Sequence, residues 1–577
     1  MHILLIASAF NSLTQRVYAE LGDRGHALAV ALAQDDDTLR AAVERHRPDL
    51  IVAPMLKSAV PPDIWSRRTC LIVHPGPAGD RGPSSLDRAV QEGVDRWGVT
   101  VLQAEAEMDA GPIWATADFA VPPDVSKSDL YRGEVADAAV TAVLLAVERF
   151  ASGDWAPRPQ TGLPVRARPH LTQGERRIDW SAQPTEEVLR RLRAADSQPG
   201  VLDELLGREW YLHGGHGEDR LRGRPGEVLA TRAGAICRAT VDGAVWIPQL
   251  RPRRSPEGPP TFALPAASAL GDRLPDVPDV AAPLRLPYHR RTWSDIRYAE
   301  QGAVGFLRFR FPGGAMSTVQ CRRLLAAYRY ARSRPTSVIV LGGERDFFSN
   351  GIHLNVIEAA ANPAEESWAN INALNDLVEA VLTTVDRLVV AAVPGNAAAG
   401  GVMLALAADE VWCRAGAVLN PHYRLMGLYG SEFWTYSLPR RVGAERAAAL
   451  MARAAPLSAA RAREFGLVDR VVAGPPQEFA DTVTRMAADL LGELDVPTRI
   501  AVKKAARERD ESVKPLAAYR AQELELMRRA FFGPDEPYHA LRSAFVRKRP
   551  TPDAAARCDA LSGTADQIAG ESTVCQL

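Results

Sequence analysis

Residues 70–89 read CLIVHPGPAGDRGPSSLDRA. The apolar run 71–73 predicts a short buried strand, and His74 stands where that strand gives way to a loop rich in glycine and proline. Open α/β sheets bind their ligands beyond the carboxyl ends of the strands. We therefore predict that His74 faces a ligand.

The sequence before this stretch alternates between predicted strands and helices. Apolar runs flanked by helical patterns predict a parallel, doubly wound α/β sheet; the predicted strands are 2–9, 27–31 and 50–53, and the predicted helices are 14–22 and 37–46. The loop after the first strand reads IASAFNS and lacks the GxGxxG pattern, which argues against a dinucleotide site.

The remainder of the chain changes character several times. Short strands with turn signals predict a small β-rich subdomain, and a segment dense in Pro, Gly, Asp and Ala predicts a linker. A second α/β unit then begins with strand 305–311, helix 318–332 and strand 338–341, and the chain is mostly helical and charged after about residue 483. The predicted boundaries are 1–162, 163–270, 271–288 for the linker, 289–555, and 556–577 for a loose tail.

Composition favours a protein that recognises small ligands locally. Hydrophobic residues make up 46% of the 577 residues, and 69 Lys and Arg balance 70 Asp and Glu, so we expect no nucleic-acid partner. The six cysteines are scattered without a CxxC pair, and we predict no metal site. The apolar N-terminus reads as a first strand, and no segment has the roughly 18 apolar residues of a membrane span. We expect a cytoplasmic protein.

A first pair of chemical groups combines His74 with Asp109, which precedes a Gly-Pro turn in EMDAGPIW, residues 107–114. A histidine paired with a carboxylate transfers protons, because the carboxylate orients the ring and stabilises its charged form. The alternative is a structural histidine and a turn aspartate.

The surrounding sequence resembles the folate-dependent formyltransferases, the family of methionyl-tRNA formyltransferase. The resemblance rests on the HPG loop after the strand, on MDAGPI, on RRIDWS at 176–181 and on LRAADSQPG at 192–200, and it covers residues 1–270. It implies a Rossmann-like parallel sheet that binds 10-formyltetrahydrofolate, with His74 and Asp109 as catalytic residues.

One family residue is absent. Formyltransferases carry an asparagine two residues before the histidine to polarise the formyl oxygen, whereas this chain has Ile72. Either Gln15 or Ser12 supplies a donor, or the acceptor chemistry has changed, because losing such a donor typically costs about a hundred- to thousandfold in rate.

The family also suggests further binding residues. We expect the pterin near PMLKSAVP at 54–61, which includes Leu56 and Lys57. Arg132 and Ser197 are candidates for guiding the donor or acceptor, with a surface charge and a helix cap as the alternatives.

A second set of motifs lies in the C-terminal half. GGERDFFSNGIHL at 342–354 and AAVPGNAAAGGVMLALAADEVW at 391–412 each place glycines before a helix start, where two N–H groups can bind one carbonyl oxygen. By themselves such glycines also fit tight turns that lead into buried helices.

Together with YSLPRRVGAERAAALM at 436–451 and AREFGLVDRVV at 462–472, these loops resemble the crotonase, or enoyl-CoA hydratase/isomerase, superfamily. The resemblance implies a crotonase-type α/β spiral that binds coenzyme A, with Ile352 and Gly400 forming an oxyanion hole. The two catalytic glutamates of hydratases are replaced by Met403 and His422, so a hydratase is excluded.

The loop at 419–440, LNPHYRLMGLYGSEFWTYSLPR, takes the place of those acids. We predict a proton shuttle in it, composed of His422, Tyr423, Ser431 and Glu432. Tyr429 or Tyr436 would line the pocket, whereas Phe433 and Trp434 are predicted to be core packing.

The combination of the two halves resembles the HypX/HoxX hydrogenase-maturation proteins. The resemblance implies synthesis of carbon monoxide for the iron of nickel-iron hydrogenase, with formyl transfer from 10-formyltetrahydrofolate to coenzyme A and decarbonylation of formyl-CoA, and it implies the iron-carrying maturation machinery as partner. Arg542 and Lys548 would contact CoA phosphates, unless they form a solvated basic face. The alternatives are a formyl-CoA hydrolase, a plain formyltransferase, or a non-catalytic scaffold that delivers a one-carbon ligand.

Overall fold

The structure is a computed structural model, and it describes residues 1–493, 495–549 and 561–562. Three units follow one another along the chain: an α/β unit, a β-rich unit, and a second α/β unit that continues into long helices. This order is the predicted one. The predicted tail lies outside the described residues except for Leu561 and Ser562.

The first unit has a six-stranded sheet in the order β2-β1-β3-β4-β6-β7. Its strands are β1 (His2–Ala7), β2 (Ala27–Leu32), β3 (Leu50–Met55), β4 (Cys70–His74), β5 (Asp80–Arg81, outside the main sheet), β6 (Arg96–Gln103) and β7 (Ile113–Ala120); its helices are α1 (Ser12–Asp23), α2 (Asp36–His46), α3 (Pro62–Trp65), α4 (Ser85–Glu92), α5 (Lys127–Leu130) and α6 (Ala136–Ser152), with a π-turn at Tyr131–Val135.

The last two strands of this sheet run antiparallel to their neighbours, unlike the parallel strands that the sequence predicts. β1 to β4 pair in parallel, but β4 pairs antiparallel with β6, and β6 antiparallel with β7. Helix α4, which connects β4 to β6, contacts a helix of the second unit. β6 begins near the end of β4 and runs back beside it, and His74 remains at a strand end.

The second unit holds two four-stranded sheets, in the orders β16-β15-β10-β9 and β11-β14-β13-β12. Its elements are β8 (Arg166–Ala167, paired with β5), α7 (Gln173–Arg176), α8 (Thr185–Ala195), β9 (Val201–Leu205), β10 (Arg208–His213), β11 (His216–Glu218), β12 (Val228–Arg232), β13 (Ala235–Ala239), β14 (Ala244–Ile247), β15 (Gln249–Pro252), β16 (Leu264–Pro265), α9 (Ala266–Leu270) and the 3-10 turn Gly271–Arg273. The predicted linker 271–288 is bound to this unit, because Asp279 bridges to Thr231 and the carbonyl of Val280 accepts from Arg232.

The third unit is built on a sheet in the order β17-β18-β19-β20-β22-β25, and a small sheet pairs β21-β23-β24. Its elements are β17 (Ile296–Gln301), β18 (Val304–Phe309), the 3-10 turn Pro312–Gly314, α10 (Thr318–Arg332), β19 (Val338–Gly343), α11 (Leu354–Ala359), α12 (Pro363–Leu382), β20 (Leu388–Val393), β21 (Ala397–Ala398), α13 (Gly400–Leu406), β22 (Glu410–Arg414), β23 (Val418–Asn420), the 3-10 turn Tyr423–Met426, α14 (Trp434–Val442), α15 (Ala444–Arg453), β24 (Leu457–Ser458), α16 (Ala459–Glu464), β25 (Arg470–Val472), the 3-10 turn Pro476–Glu478, α17 (Phe479–Glu493), α18 (Val496–Val513), α19 (Leu516–Phe532) and α20 (Tyr538–Val546).

This unit begins one strand earlier than predicted. β17 pairs antiparallel with β18, and in its sequence IRYAEQ only Ile296 and Tyr298 are buried. Such alternation is typical of an antiparallel edge strand, and it is a weaker sequence signal than the apolar run of β18. Helix α10 has the predicted bounds because a capping box of Ser317 and Gln320 fixes its start.

Ion pairs join the first unit to the third. Arg132 donates to both oxygens of Asp346 at 2.6 and 2.7 Å. Three carboxylates of the first unit accept in turn from arginines of the third, in the pairs Asp129–Arg310, Glu134–Arg345 and Asp137–Arg414. Bidentate and partly buried pairs orient groups more firmly than exposed ones. The two halves are therefore held in a defined relative position.

A search of the described residues finds no helix with the length and apolar character needed to cross a membrane. In the same residues, no three His, Cys, Asp or Glu side chains are grouped as metal ligands.

Candidate functional site

The structure places His74 between two carboxylates at the end of β4. Its side chain is 4% exposed, its Nε2 lies 3.1 Å from Oδ1 of Asp80, and its Nδ1 lies 3.5 Å from Oδ1 of Asp109. A Cβ added to Gly76 would lie 2.5 Å from both the Asp80 oxygen and His74 Nε2. Only glycine fits at position 76, where the loop passes close to His74 Nε2 and the Asp80 carboxylate.

Asp109 is held by its backbone and by its second oxygen. Its φ of 58° is in the left-handed region, which is costly for a non-glycine residue and is concentrated at functional sites. Oδ2 accepts from the N–H of Gly82 at 2.9 Å, and the side chain of Gln160 donates to the Asp109 carbonyl at 2.9 Å. The loop therefore fixes this carboxylate toward His74.

The charges of this trio follow from its burial and its geometry. Burial alone would lower the pKa of His74, but hydrogen bonding and attraction to Asp109 and Asp80 outweigh it and raise the pKa to about 9. Burial opposes ionisation of Asp109, yet His74 and the Gly82 amide hold its pKa below the usual range. Near neutral pH the site holds an imidazolium rather than a free base.

The substitutes proposed for the missing asparagine, Gln15 and Ser12, both lie in the first turn of α1. Ile72 is half-buried beside the smaller apolar core of the sheet. The Gln15 side chain donates to the carbonyl of Phe10 at 3.0 Å, and Ser12 is the first residue of α1.

The second candidate site surrounds the start of α13. A Cβ on Gly351 would lie 3.1 Å from the Gly400 nitrogen, so the two glycine loops meet, and Ile352 is the next residue. A Cβ on Gly400 would lie 2.2 Å from Oε1 of Glu432. The Glu432 carboxyl group therefore lies beside the predicted oxyanion hole.

Glu432 is fully buried and bonded through its other oxygen. Oε2 accepts from the Tyr423 hydroxyl at 2.8 Å and from the Ser431 N–H at 3.0 Å. The side chain of Asn375 accepts from the Glu432 N–H at 2.8 Å and donates to the Ser431 hydroxyl at 2.8 Å. Tyr423, Ser431 and Glu432 thus form one network, and their role as a proton shuttle with His422 stays a prediction.

Burial controls the titration of this network. It raises the pKa of Glu432 to about 8, with a further contribution from the charge of Glu523. The pKa of Tyr423 is raised well above its usual value by burial and by Glu432. A carboxyl group with a pKa near the working pH is suited to general-base catalysis.

Neither position that carries a glutamate in hydratases is acidic. Met403 is buried in the core of the third unit. Burial lowers the pKa of His422 to about 4, so the imidazole is neutral at physiological pH. Of the predicted lining residues, Tyr429 is 41% exposed and packs against Trp434, while the Tyr436 hydroxyl donates to Asp510 at 2.8 Å.

Comparisons with known proteins agree with this two-site architecture. Three family models match the chain: "Formyl transferase" over residues 13–147, "Formyl transferase, C-terminal domain" over 170–262, and "Enoyl-CoA hydratase/isomerase" over 300–551. A hydrogenase maturation factor HoxX from Bradyrhizobium diazoefficiens is 47% identical over 95% of both chains. This chain belongs to the HypX/HoxX family of hydrogenase maturation factors.

Two further relatives fit this assignment. The crystal structure of HypX from Aquifex aeolicus in complex with tetrahydrofolic acid has a TM-score of 0.92 and 44% identity, covering 97% of this chain and 98% of that one. A methionyl-tRNA formyltransferase from Acidothermus cellulolyticus is 33% identical over 23% of this chain and 40% of its own length. The predicted family and fold class are confirmed: a formyltransferase-type α/β part with a β-rich subdomain precedes a crotonase-type part with a helical end. The predicted domain boundaries stay predictions.

The remaining candidate binding residues of this HypX/HoxX chain are Lys57, Lys548, Leu56 and Ser197. Lys57 and Lys548 come from opposite ends of the chain, yet the pKa of Lys548 is lowered by burial and then by the charges of Lys57 and Arg251. Leu56 packs partly against the core of the first sheet. Ser197 has a left-handed φ of 68° in the loop after α8.

Two predicted ligand-binding arginines already have protein partners. Arg132 pairs with Asp346 and lies over the Phe347 ring. Arg542 is 5% exposed and its Nε donates to Glu358 at 2.9 Å, so the alternative of a solvated basic face is wrong for it.

Sequence reasoning missed three residues of these sites. Asp80 lies six residues after His74, and no motif links it to the imidazole. Asn375 lies inside a long helix without a motif. Glu523 did leave a signal: it lies on the same helical face as the buried residues Leu516 and Met527.

Proposed function

We propose that the protein makes carbon monoxide for the iron site of nickel-iron hydrogenase. In this proposal it transfers the formyl group of 10-formyltetrahydrofolate to coenzyme A at the His74 site and decarbonylates formyl-CoA at the Glu432 site. The observation that carries the proposal is the buried Tyr423–Glu432 pair beside the Gly400 amide, without the second hydratase acid. The tetrahydrofolate-bound HypX relative supports the folate donor.

At the first site the residues present move one proton from sulfur to nitrogen. Asp109 takes the proton of the CoA thiol as the sulfur bonds to the formyl carbon. His74, protonated near neutral pH, gives a proton to N10 of the folate as the carbon–nitrogen bond breaks. Transfer of the proton from Asp109 to His74 across their 3.5 Å separation then restores the site.

At the second site the amide groups of Ile352 and Gly400 bind the thioester oxygen. Ionised Glu432 removes the formyl proton, the carbon–sulfur bond breaks with its electrons on sulfur, and carbon monoxide leaves with the electron pair of the former C–H bond. Tyr423 donates toward the departing thiolate and recovers its proton from Glu432, to which it is bonded. Burial of this network excludes the water that would otherwise hydrolyse the thioester.

The proposal extends to the partners. The ion pairs between the halves fix the distance over which a CoA arm must reach, and Lys57, Arg251 and Lys548 supply positive charge between the units for the phosphates. The recipient of the carbon monoxide would be an iron-carrying maturation protein in the cytoplasm, with no role for nucleic acid.

The direct test supplies the purified protein with 10-formyltetrahydrofolate and CoA and traps carbon monoxide with a reduced haem protein. We expect trapping that requires both compounds. Formate alone would identify a hydrolase and contradict the proposal, a stable formyl-CoA product would identify a plain formyltransferase, and absence of turnover would leave a delivery scaffold.

The two sites predict opposite pH dependences. Formyl transfer needs protonated His74 and is expected to fall as pH rises through about 9, whereas decarbonylation needs ionised Glu432 and is expected to rise through about 8. The coupled rate should therefore be maximal between about 8 and 9. Separate assays of formyl-CoA formation and of carbon monoxide release from formyl-CoA, each carried out across this pH range, measure the two pH dependences.

Replacing Asp80 by Asn tests the added carboxylate. The change removes one of the two negative charges that raise the pKa of His74. The fall in the rate of formyl transfer at high pH should therefore begin at a lower pH than in wild type. Release of carbon monoxide from supplied formyl-CoA should keep the wild-type profile. If the rate of formyl transfer in Asp80→Asn fell at the same pH as in wild type, Asp80 would not set the charge of His74.

A further inference from the structure

A second carboxylate lies behind Glu432 on a different helix. Glu523 is in the middle of α19 and its exposed fraction is 0%. It shares one helical face with the buried residues Leu516, Met527 and Phe531. A carboxylate at such a position is unfavourable unless its oxygens are hydrogen-bonded, so its partners indicate its role.

Both oxygens of Glu523 bind the start of α14. Oε2 accepts from the N–H of Phe433 at 2.9 Å, and Oε1 accepts from the N–H of Thr435 at 2.9 Å and from the Thr435 hydroxyl at 2.5 Å. The first amides of a helix lack partners within the helix and favour a negative charge. No side-chain cap comes from Phe433 itself, so Glu523 caps α14 from another helix.

The capped segment is strained. Glu432 and Phe433 have consecutive φ values of 60° and 58°, a left-handed pair that non-glycine residues adopt only when surrounding contacts enforce it. This backbone turns the Glu432 side chain back toward Gly400 and Tyr423. Asn375 holds the Glu432 amide from one side, and Glu523 holds the following amides from the other.

Burial and the neighbouring negative charge raise the pKa of Glu432, whereas the hydrogen-bond donors around Glu432 and Glu523 lower the pKa of the carboxyl group they contact. Burial raises the pKa of Glu523 to about 7, and its charge adds to the burial that raises the pKa of Glu432. Tyr423 and Tyr429 from the loop also respond to the Glu523 charge, and Cys321 from α10 responds to Glu432; Ser431 and Thr435 donate to the carboxylates.

We propose that Glu523 is a positioning residue of the decarbonylation site, which holds the Glu432 carboxyl group against Gly400 by binding the amides of Phe433 and Thr435. This role rests on the proposed function. It acts through Glu432, because its own oxygens are occupied by α14. Its negative charge also makes Glu432 a stronger base than an ordinary carboxylate.

The test replaces Glu523 by Gln, which keeps the shape but loses the charge and one acceptor. We expect release of carbon monoxide from formyl-CoA to fall at least tenfold, while formyl-CoA formation at the His74 site stays within twofold of wild type. The protonated-carboxyl infrared band that is lost in Glu432→Gln should titrate at lower pH in Glu523→Gln. Glu525→Gln is the matched control, because Glu525 lies on the same helix in an exposed pair with Arg529.

The outcomes separate this inference from the proposed function. A wild-type rate of carbon monoxide release in Glu523→Gln overturns the positioning role. If wild type itself releases no carbon monoxide, the proposed function fails. The infrared titration then decides whether Glu523 acts on Glu432. A shift of the Glu432 carboxyl band to lower pH in Glu523→Gln supports the positioning role, and an unshifted band overturns it. If Glu523→Gln does not fold, Thr435→Val, which removes one donor to Glu523, must show a smaller loss of the same kind, and a wild-type rate in Thr435→Val overturns the role.

Discussion

Replacing Glu432 by Gln is expected to lower carbon monoxide release from formyl-CoA by about a thousandfold, the scale of losing a general base. The amide keeps the size of the carboxyl group and still accepts from the Tyr423 hydroxyl, but it cannot take the formyl proton. Formyl transfer at the His74 site should continue, so formyl-CoA should accumulate when the folate donor and CoA are supplied. Mass spectrometry of the CoA pool and a haem trap measure the two products together.

Tyr423→Phe extends this prediction. If the Tyr423 hydroxyl and the Glu432 carboxyl group act as one network, effects within it are not additive. The double variant Tyr423→Phe/Glu432→Gln should then release carbon monoxide almost as fast as Glu432→Gln alone. Formyl-CoA that accumulates equally in wild type and in Glu432→Gln would contradict the assignment of this site.

The second large effect is expected at the His74 site. Replacing His74 by Ala should lower formyl transfer from 10-formyltetrahydrofolate by about a thousandfold, or ~4 kcal/mol of transition-state stabilisation, because the imidazolium and its proton are lost together. Carbon monoxide release should be restored in this variant when formyl-CoA is supplied directly, since Glu432 and Gly400 are unchanged. Carbon monoxide release is measured twice, once from 10-formyltetrahydrofolate with CoA and once from formyl-CoA, and the two rates are compared.

His170→Ala provides the control, since His170 is an exposed histidine of the same half. It should leave both rates at the wild-type level. If His74→Ala also abolished the breakdown of supplied formyl-CoA, the two sites would not act in sequence, and the division of labour between the halves would be wrong.

The sequence predicted the parts of the fold that have strong local signals. Helix α10 has its predicted bounds because a capping box marks its start. Strand β17 was missed because alternating polar residues give a weaker signal than an apolar run. The reversal of β6 was also missed, because the residues of the strand itself carry no signal of its direction.

The site residues also divide into those with a local sequence signal, which were predicted, and those without one, which were missed. Motifs identified His74 with Asp109, and the unusual loop identified Tyr423 with Glu432, and the structure brings each pair together. Their further partners were not found, because no local pattern connects Asp80 with the imidazole six residues before it, or Glu523 with a turn 90 residues away. Arg132 and Arg542, the candidate ligand-binding arginines, each have a carboxylate partner within the protein that no local pattern predicts, and their ligand-binding roles stay predictions.

The fate of the formyl hydrogen tests the central claim most directly. A donor labelled with carbon-13 and deuterium on its formyl group should, with CoA and the wild-type protein, yield labelled carbon monoxide while the deuterium passes to water, because the C–H bond is broken at Glu432. Formate that retains both labels would show that the C–H bond survives. That result would contradict decarbonylation.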